Sequence, residues 1–279
     1  MPVHKDPSGR RWVEAEVEVP GTPEEVWAAI ATGPGITAWF VPSDVEEHVG
    51  GKAISHFSPD GTMDSDATVT AWDPPHRFTA ESRDDMGPDG PTVATEWIVE
   101  ARSGGTCVVR VVHSWFTSKD DWDDQFEGHT YGWIAFFRIL RLYLTHFSGQ
   151  PSSMFQLMGT APEPKETAWA DFTGPLGIAG AVAGQRINSA AGAPPLAGRV
   201  EWAGQPEWPE LLIRLDDPAP GIAHLVPILM MGQVYVTIRF YLYGEEGAAA
   251  VERAEAAWQA WVSEQFPPGA GGGDGTMSH

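Results

Sequence analysis

The chain has 279 residues, enough for two domains that each bury a core at roughly 150 residues per domain. Its 17 Lys and Arg stand against 38 Asp and Glu, a net charge of −21 that repels phosphate backbones and anionic lipid surfaces and so argues against nucleic acid as a partner. A single cysteine, Cys107, excludes an internal disulfide framework and fits a reducing cytoplasm.

The first segment, MPVHKDPSGRR, has no apolar stretch behind its basic residues and does not read as a secretory signal. RRWVEAEVEV follows, with Trp12, Glu14, Glu16 and Glu18 alternating against Val13, Ala15, Val17 and Val19, the period of a half-buried strand. GTPEEVWAAIA reads as a helix: Thr22 is its N-cap, Pro23 its first residue, and Glu24 and Glu25 favour the positive end of the dipole. GPGITAWF makes a second short helical piece. Five strands come next, GKAISHFS, SDATVTAWD, HRFTAESR, TVATEWIVEAR and TCVVRVVHSW, separated by turn-forming SPDG, DPP, DMGPDGP and SGG. Short turns between sequential strands predict an antiparallel sheet. The acidic run KDDWDDQFE then leads into a helix, where negative charge favours the helix N-terminus.

That helix, GHTYGWIAFFRILRLYLTHF, is more apolar than a surface helix needs. Trp133, Phe137, Leu140, Leu144 and Phe147 form one stripe, widened by Phe136, Ile139, Leu142 and Tyr143. Arg138 and Arg141 interrupt it, so it is not a membrane span, which needs about 18 uninterrupted apolar residues. One cylinder about 10 Å across cannot fill the concave face of a sheet of about six strands, so the helix is expected to cover a cavity.

TPEEVWAAI, ITAWFVP, VGGKAISHF, VTAWDPPHRFTAES, GGTCVVRVVHSWF and GHTYGWIAFFRILRLYL, in this order over residues 10 to 148, resemble the START/Bet v1-like (SRPBCC) superfamily, in particular the branch named after the activator of Hsp90 ATPase. The resemblance implies an α+β helix-grip fold, a curved antiparallel sheet around a long C-terminal helix with a hydrophobic cavity. The second half reads as a degraded copy. AWADFTGPLGI parallels VWAAIATGPGI, VAGQRINSA parallels VGGKAISHF with Val182 against Val49, and GRVEWAGQPEWPELLIRL parallels ATVTAWDPPHRFTAES. GQVYVTIRFYLYG would be the penultimate strand and EEGAAAVERAEAAWQAWVSEQF the final helix, the copy being shorter by loops and not by elements. The expected division is 10–148 for the first helix-grip domain, a junction at HFSGQPSS, 153–267 for the second, and a flexible Gly-rich tail at 268–279. The second final helix has a narrower stripe with Ala between, so the larger cavity is expected in the first domain.

Nucleophile-elbow, dinucleotide, P-loop and zinc-helix motifs are absent, and the nine His are scattered, so no cofactor and no metal are expected. Cys107 sits in an apolar strand and reads as a buried small hydrophobe. His113 shares its strand face with Cys107, Val109, Val111 and Trp115; it is either a core histidine held by a backbone carbonyl, or a cavity donor or base, and is the one catalytic candidate. Trp97 shares a face with Thr95 and Val99, and His56 with Ile54 and Lys52. With Trp39 and Phe40, which fall where the family's short helices rim the cavity mouth, and with Trp133, Phe137 and Leu140, these make the expected ligand-binding set. Thirteen Trp suit a bulky ligand, or two filled cores. The chain is expected to bind a bulky hydrophobic small molecule, polyketide-like or lipid-like, in natural-product biosynthesis or self-resistance by sequestration. A cyclase or dehydratase using His113, and a cochaperone-like interaction module, are the alternatives. Multiple turnover lost in His113→Phe distinguishes the first of these, and capture of a protein partner without small molecule the second.

Overall fold

The computed structural model describes residues 3–57, 61–62, 64–83, 91–116, 123–230 and 232–267, for 123–131 the backbone alone. The expected tail at 268–279 and the side chains of the acidic run 119–127 lie outside the described residues. The chain divides into two compact units, Met1–Pro151 and Ser152–His279, within the HFSGQPSS stretch.

The first unit runs β1 (His4–Lys5), β2 (Arg10–Pro20), α1 (Pro23–Ala31), α2 (Gly33–Thr37), β3 (Ser43–Val45), β4 (Lys52–His56), β5 (Asp64–Asp73), β6 (Arg77–Ser82), β7 (Val93–Arg102), β8 (Thr106–Phe116) and α3 (Asp123–His146). The strands form one antiparallel sheet in the order β1-β2-β8-β7-β6-β5-β4-β3. Local chemistry sets the boundaries. The Thr22 hydroxyl accepts from Glu25 N while the Glu25 carboxylate accepts from Thr22 N, a reciprocal capping box that starts α1. Thr32 caps α2 in turn, accepting from Gly35 N. β2 keeps the period of two: Val13, Ala15 and Val19 are buried, and Glu16 and Glu18 are exposed. Cys107 is fully buried, donating to the Gly21 carbonyl at 3.4 Å, and burial, with Glu24 and Glu25 nearby, pushes its thiol pKa up.

The second unit runs β9 (Ser152–Ala161), α4 (Lys165–Leu176), β10 (Arg186–Asn188), β11 (Ala197–Gln205), β12 (Trp208–Asp217), β13 (Gly221–Met230), β14 (Gln233–Tyr243) and α5 (Gly244–Gln265). Its sheet order, β10-β11-β12-β13-β14-β9, is that of β4-β5-β6-β7-β8-β2. The two units are therefore tandem copies of one helix-grip topology, and the fold class is α+β.

Three expectations need correction. The first sheet has eight strands and not about six, because β1 and β3 are too short to show alternation. GQVYVTIRFYLYG is the last strand, held between β13 and β9. The second unit is also shorter by elements: among the described residues it has no counterpart of β1 or β3, and one helix, α4, stands where the first unit has α1 and α2.

The register aligns the copies residue by residue. Gly50 N donates to Val69 O and Val69 N to Gly51 O, at 2.8 and 2.9 Å; Gly184, Val200 and Gln185 repeat this at the same distances. Gly50 and Gly184 both have φ of 88°, a left-handed turn that favours glycine. Gly50 is therefore equivalent to Gly184, one residue away from the sequence pairing of Val49 with Val182.

Candidate functional site

The concave face of the first sheet, the N-terminal part of the described face of α3 and the α2–β3 segment enclose a cavity of about 890 Å³. This lies within the range of about 300–1,000 Å³ of small-molecule sites. Period-two alternation brings Ala53 and Ser55 of β4, Phe78, Ala80 and Ser82 of β6, Val93, Thr95 and Trp97 of β7, and His113 of β8 to its wall. Several of these side chains are small, which leaves the space. Helix α3 divides by function along its length. Trp133 and Phe136 are half-buried and line the cavity, whereas Phe137, Ile139, Leu140, Tyr143, Leu144 and Phe147 are buried.

Of the expected ligand-binding residues, Phe40, Trp97, His113 and Trp133 lie together on the wall. Phe40 stacks on Trp133 at 5.1 Å and meets Phe136 edge-on at 4.5 Å, and Trp97 stands edge-on to Trp133 at 5.1 Å. The other four lie elsewhere. Trp39 is wholly buried behind the wall, its indole N–H donating to Ala29 O at 2.9 Å, so it ties its own loop to α1. Phe137 and Leu140 belong to the packed part of α3: they continue the stripe of Trp133, one and two turns further along the helix, where it is buried. His56 falls on the strand face opposite Ser55: its Nδ1 lies 2.8 Å from an Asp64 carboxylate oxygen and its Nε2 3.1 Å from one of Asp44. Hydrogen bonds to the Asp44 and then the Asp64 carboxylate raise its pKa and favour its protonated form, which ties β3, β4 and β5 together.

His113 is fixed by its neighbours. The Trp133 indole N–H donates to His113 Nε2 at 2.5 Å, and Thr95 Oγ1 lies 2.9 Å from His113 Nδ1. An indole nitrogen can only donate, so Nε2 carries no proton; Nδ1 then carries it and donates to Thr95. Protonating Nε2 would place two hydrogens in one contact and break the bond to Trp133. Ser82, Thr95 and Ala80 were not singled out from the sequence as site residues. The signal for Ser82 was nevertheless present, a small polar residue in phase with Phe78 and Ala80 in HRFTAES.

In the second unit, the described residues facing α5 form one continuous buried core that includes Phe155, Leu225, Phe240, Trp258 and Trp261. A shallower pocket of about 450 Å³, lined by residues of β9, α4 and the α5 end including Thr160, Asp171 and Phe266, lies beside it. Among the described residues no helix is long and apolar enough to cross a membrane, and no three His, Cys, Asp or Glu side chains are grouped to hold a metal ion.

Residues 20–145 match the family described as activator of Hsp90 ATPase homolog 1-like protein. No match is found among the curated proteins. Similar solved structures include CalU16 from Micromonospora echinospora, at 16% identity over 52% of this chain and 83% of that one, with a TM-score of 0.40. DynU16, a protein of the dynemicin biosynthetic locus, is 16% identical over 90% of this chain and 96% of its own, with a TM-score of 0.41. The di-domain ARO/CYC BexL from the BE-7585A biosynthetic pathway is 12% identical over 93% and 99%, with a TM-score of 0.44.

Proposed function

We propose that this chain, whose first unit is an activator-of-Hsp90-ATPase-like helix-grip domain of the START/Bet v1-like superfamily and whose second repeats the topology, binds one bulky hydrophobic small molecule in the cavity of the first unit. The observation that carries this reading is the cavity itself: about 890 Å³, walled by Phe40, Phe78, Trp97, Trp133 and Phe136. Flat aromatic walls favour a flat or polycyclic apolar body, polyketide-like or lipid-like, held by area with few polar contacts. The setting, cytoplasmic natural-product biosynthesis or self-resistance by sequestration, is carried over from the superfamily by analogy.

Binding is favoured over catalysis by His113. Both ring nitrogens of that residue are engaged, and accepting a proton from substrate at Nε2 requires Trp133 to let go. The deciding experiment incubates the pure full-length chain with lipids and aromatic polyketides, records its intact mass under native conditions and then analyses what is released. An unchanged compound held one per chain supports a carrier or sequestering role. A chemically altered compound released from unaltered protein replaces it with an enzyme. No bound mass returns the chain to the protein-interaction reading.

A further inference from the structure

Apart from Ser43, Ser55, Asp64, Ser65 and Asp66 on the β3–β5 side of the cavity, three polar side chains share one row across β6, β7 and β8. Ser82 is 4% exposed, lines the cavity, and its hydroxyl has no hydrogen-bond partner among the described residues. Such a group costs free energy in an empty apolar site, and satisfying it is a gain reserved for whatever enters. Thr95, on the same wall, accepts from His113 Nδ1–H, and that bond turns its own O–H away from the imidazole. Ser82 pairs across the strands with Val93, so it stands diagonal to Thr95, about 7–8 Å away on the backbone. The two hydroxyls are spaced to serve two oxygens of one ring system.

The fold does not require this row. Val19 pairs with Cys107 four residues before α1, and Ala161 pairs with Val234 four residues before α4, which makes the equivalent positions countable along each ladder. Counting places Leu215 at Ser82, Ala223 at Thr95 and Phe240 at His113. All three are buried in the apolar core of the second unit. A helix-grip sheet of this chain therefore closes with none of the three polar groups, and their presence in the first unit coincides with the cavity.

We infer that Ser82 and Thr95 are a donor pair that recognises carbonyl or quinone oxygens on a planar aromatic ligand, with His113 a positioning residue that holds Thr95 in its donating orientation. The inference rests on the binding function proposed above and adds the ligand's chemical class. It separates a quinone-type ligand from a plain hydrocarbon body of the same outline.

The test uses the full chain and a matched pair of probes, 9,10-anthraquinone and anthracene, with affinities read from quenching of tryptophan fluorescence. Two modest hydrogen bonds correspond to an anthraquinone preference of about thirtyfold in the unaltered protein. Ser82→Ala and Thr95→Val should each lower that preference, read as the ratio of the two affinities in the same variant, about fivefold, and together remove it. His113→Phe should lower it as Thr95→Val does, with no further loss when the two are combined, the mark of one residue acting through the other. Equal affinity for both probes in the unaltered protein, or a preference that survives in the Ser82→Ala/Thr95→Val protein, overturns the donor pair and leaves the apolar cavity standing. A preference unaffected by His113→Phe overturns the positioning role. If neither probe binds, the binding function itself fails.

Discussion

At position after position facing the last helix, the two units choose oppositely. The first has Ala53, Ala80, Ser82 and Thr95 where the second has Ile187, Ile213, Leu215 and Ala223. Three of the four exchanges add branched apolar bulk, and Phe240 at the place of His113 stacks on Phe155 at 4.9 Å and meets Trp258 at 5.2 Å. The closing helix differs as well. Gly159 of β9 occupies the register of Val17 in β2, and a Cβ built on it would lie 2.7 Å from Phe266 Cβ and 2.9 Å from Val262 Cγ1. The absent side chain lets the end of α5 sit close against its sheet. One topology thus gives a lined hollow or a solid core according to side-chain volume on one face, and on that face the hollow copy is the one that carries Ser82, Thr95 and His113.

Exchanging residues between the copies is the strongest way to break this comparison. Phe240→His removes a fully buried ring and leaves imidazole nitrogens in an apolar core, so it should destabilise the chain by about 3–5 kcal/mol in urea unfolding. The reverse exchange, His113→Phe, borders a cavity and should cost only about 1 kcal/mol. Equal costs would mean that the two cores are not differently packed. Gly159→Ala comes next: the short contacts to Phe266 and Val262 force the helix outward, for a loss of about 1–3 kcal/mol by the same measurement.

The smallest effect concerns the His56 clamp. The raised pKa of His56 means that the folded protein holds this proton more tightly than the unfolded chain, whose value is near 6.5. Its stabilisation is complete below that value and is lost as pH rises through the folded value. The melting temperature of the unaltered protein should therefore exceed that of His56→Gln at about pH 5.5, and the gap should narrow toward about pH 8.5. A gap that widens with pH would contradict the Asp44–His56–Asp64 ion pairs. The second unit does not repeat this clamp: the ladder position equivalent to Ser55 is Ser189 and the strand ends at Asn188.

Much of this was legible in the chain. Alternation in RRWVEAEVEV and TCVVRVVHSW placed β2 and β8 and pointed His113 inward, and the excess of aromatics in GHTYGWIAFFRILRLYLTHF announced a helix covering more than a core. What escaped has identifiable causes. β9, SSMFQLMGTA, shows no clean alternation, and β13, GIAHLVPILM, is nearly continuous in apolar residues, so neither carries a period. In the sequence Trp39, Phe137 and Leu140 read as ligand-binding because residue type separates apolar from polar but not packed from lining. That distinction depends on which turn of α3 faces small residues across the sheet. The role of Ser82 depends on a hydrogen bond that is missing, which no pattern of residues displays.

The central claim, that the ligand space lies in the first unit between the sheet and Trp133, is tested most directly by counting anthraquinone molecules held per chain by native mass spectrometry, for the unaltered protein and for Ala80→Phe. Ala80 is 6% exposed on the cavity wall, cross-strand from Thr95, and a phenyl ring there takes up ligand space. The account predicts one molecule per unaltered chain and none on Ala80→Phe. Undiminished binding by a folded Ala80→Phe protein would put the ligand elsewhere and contradict it.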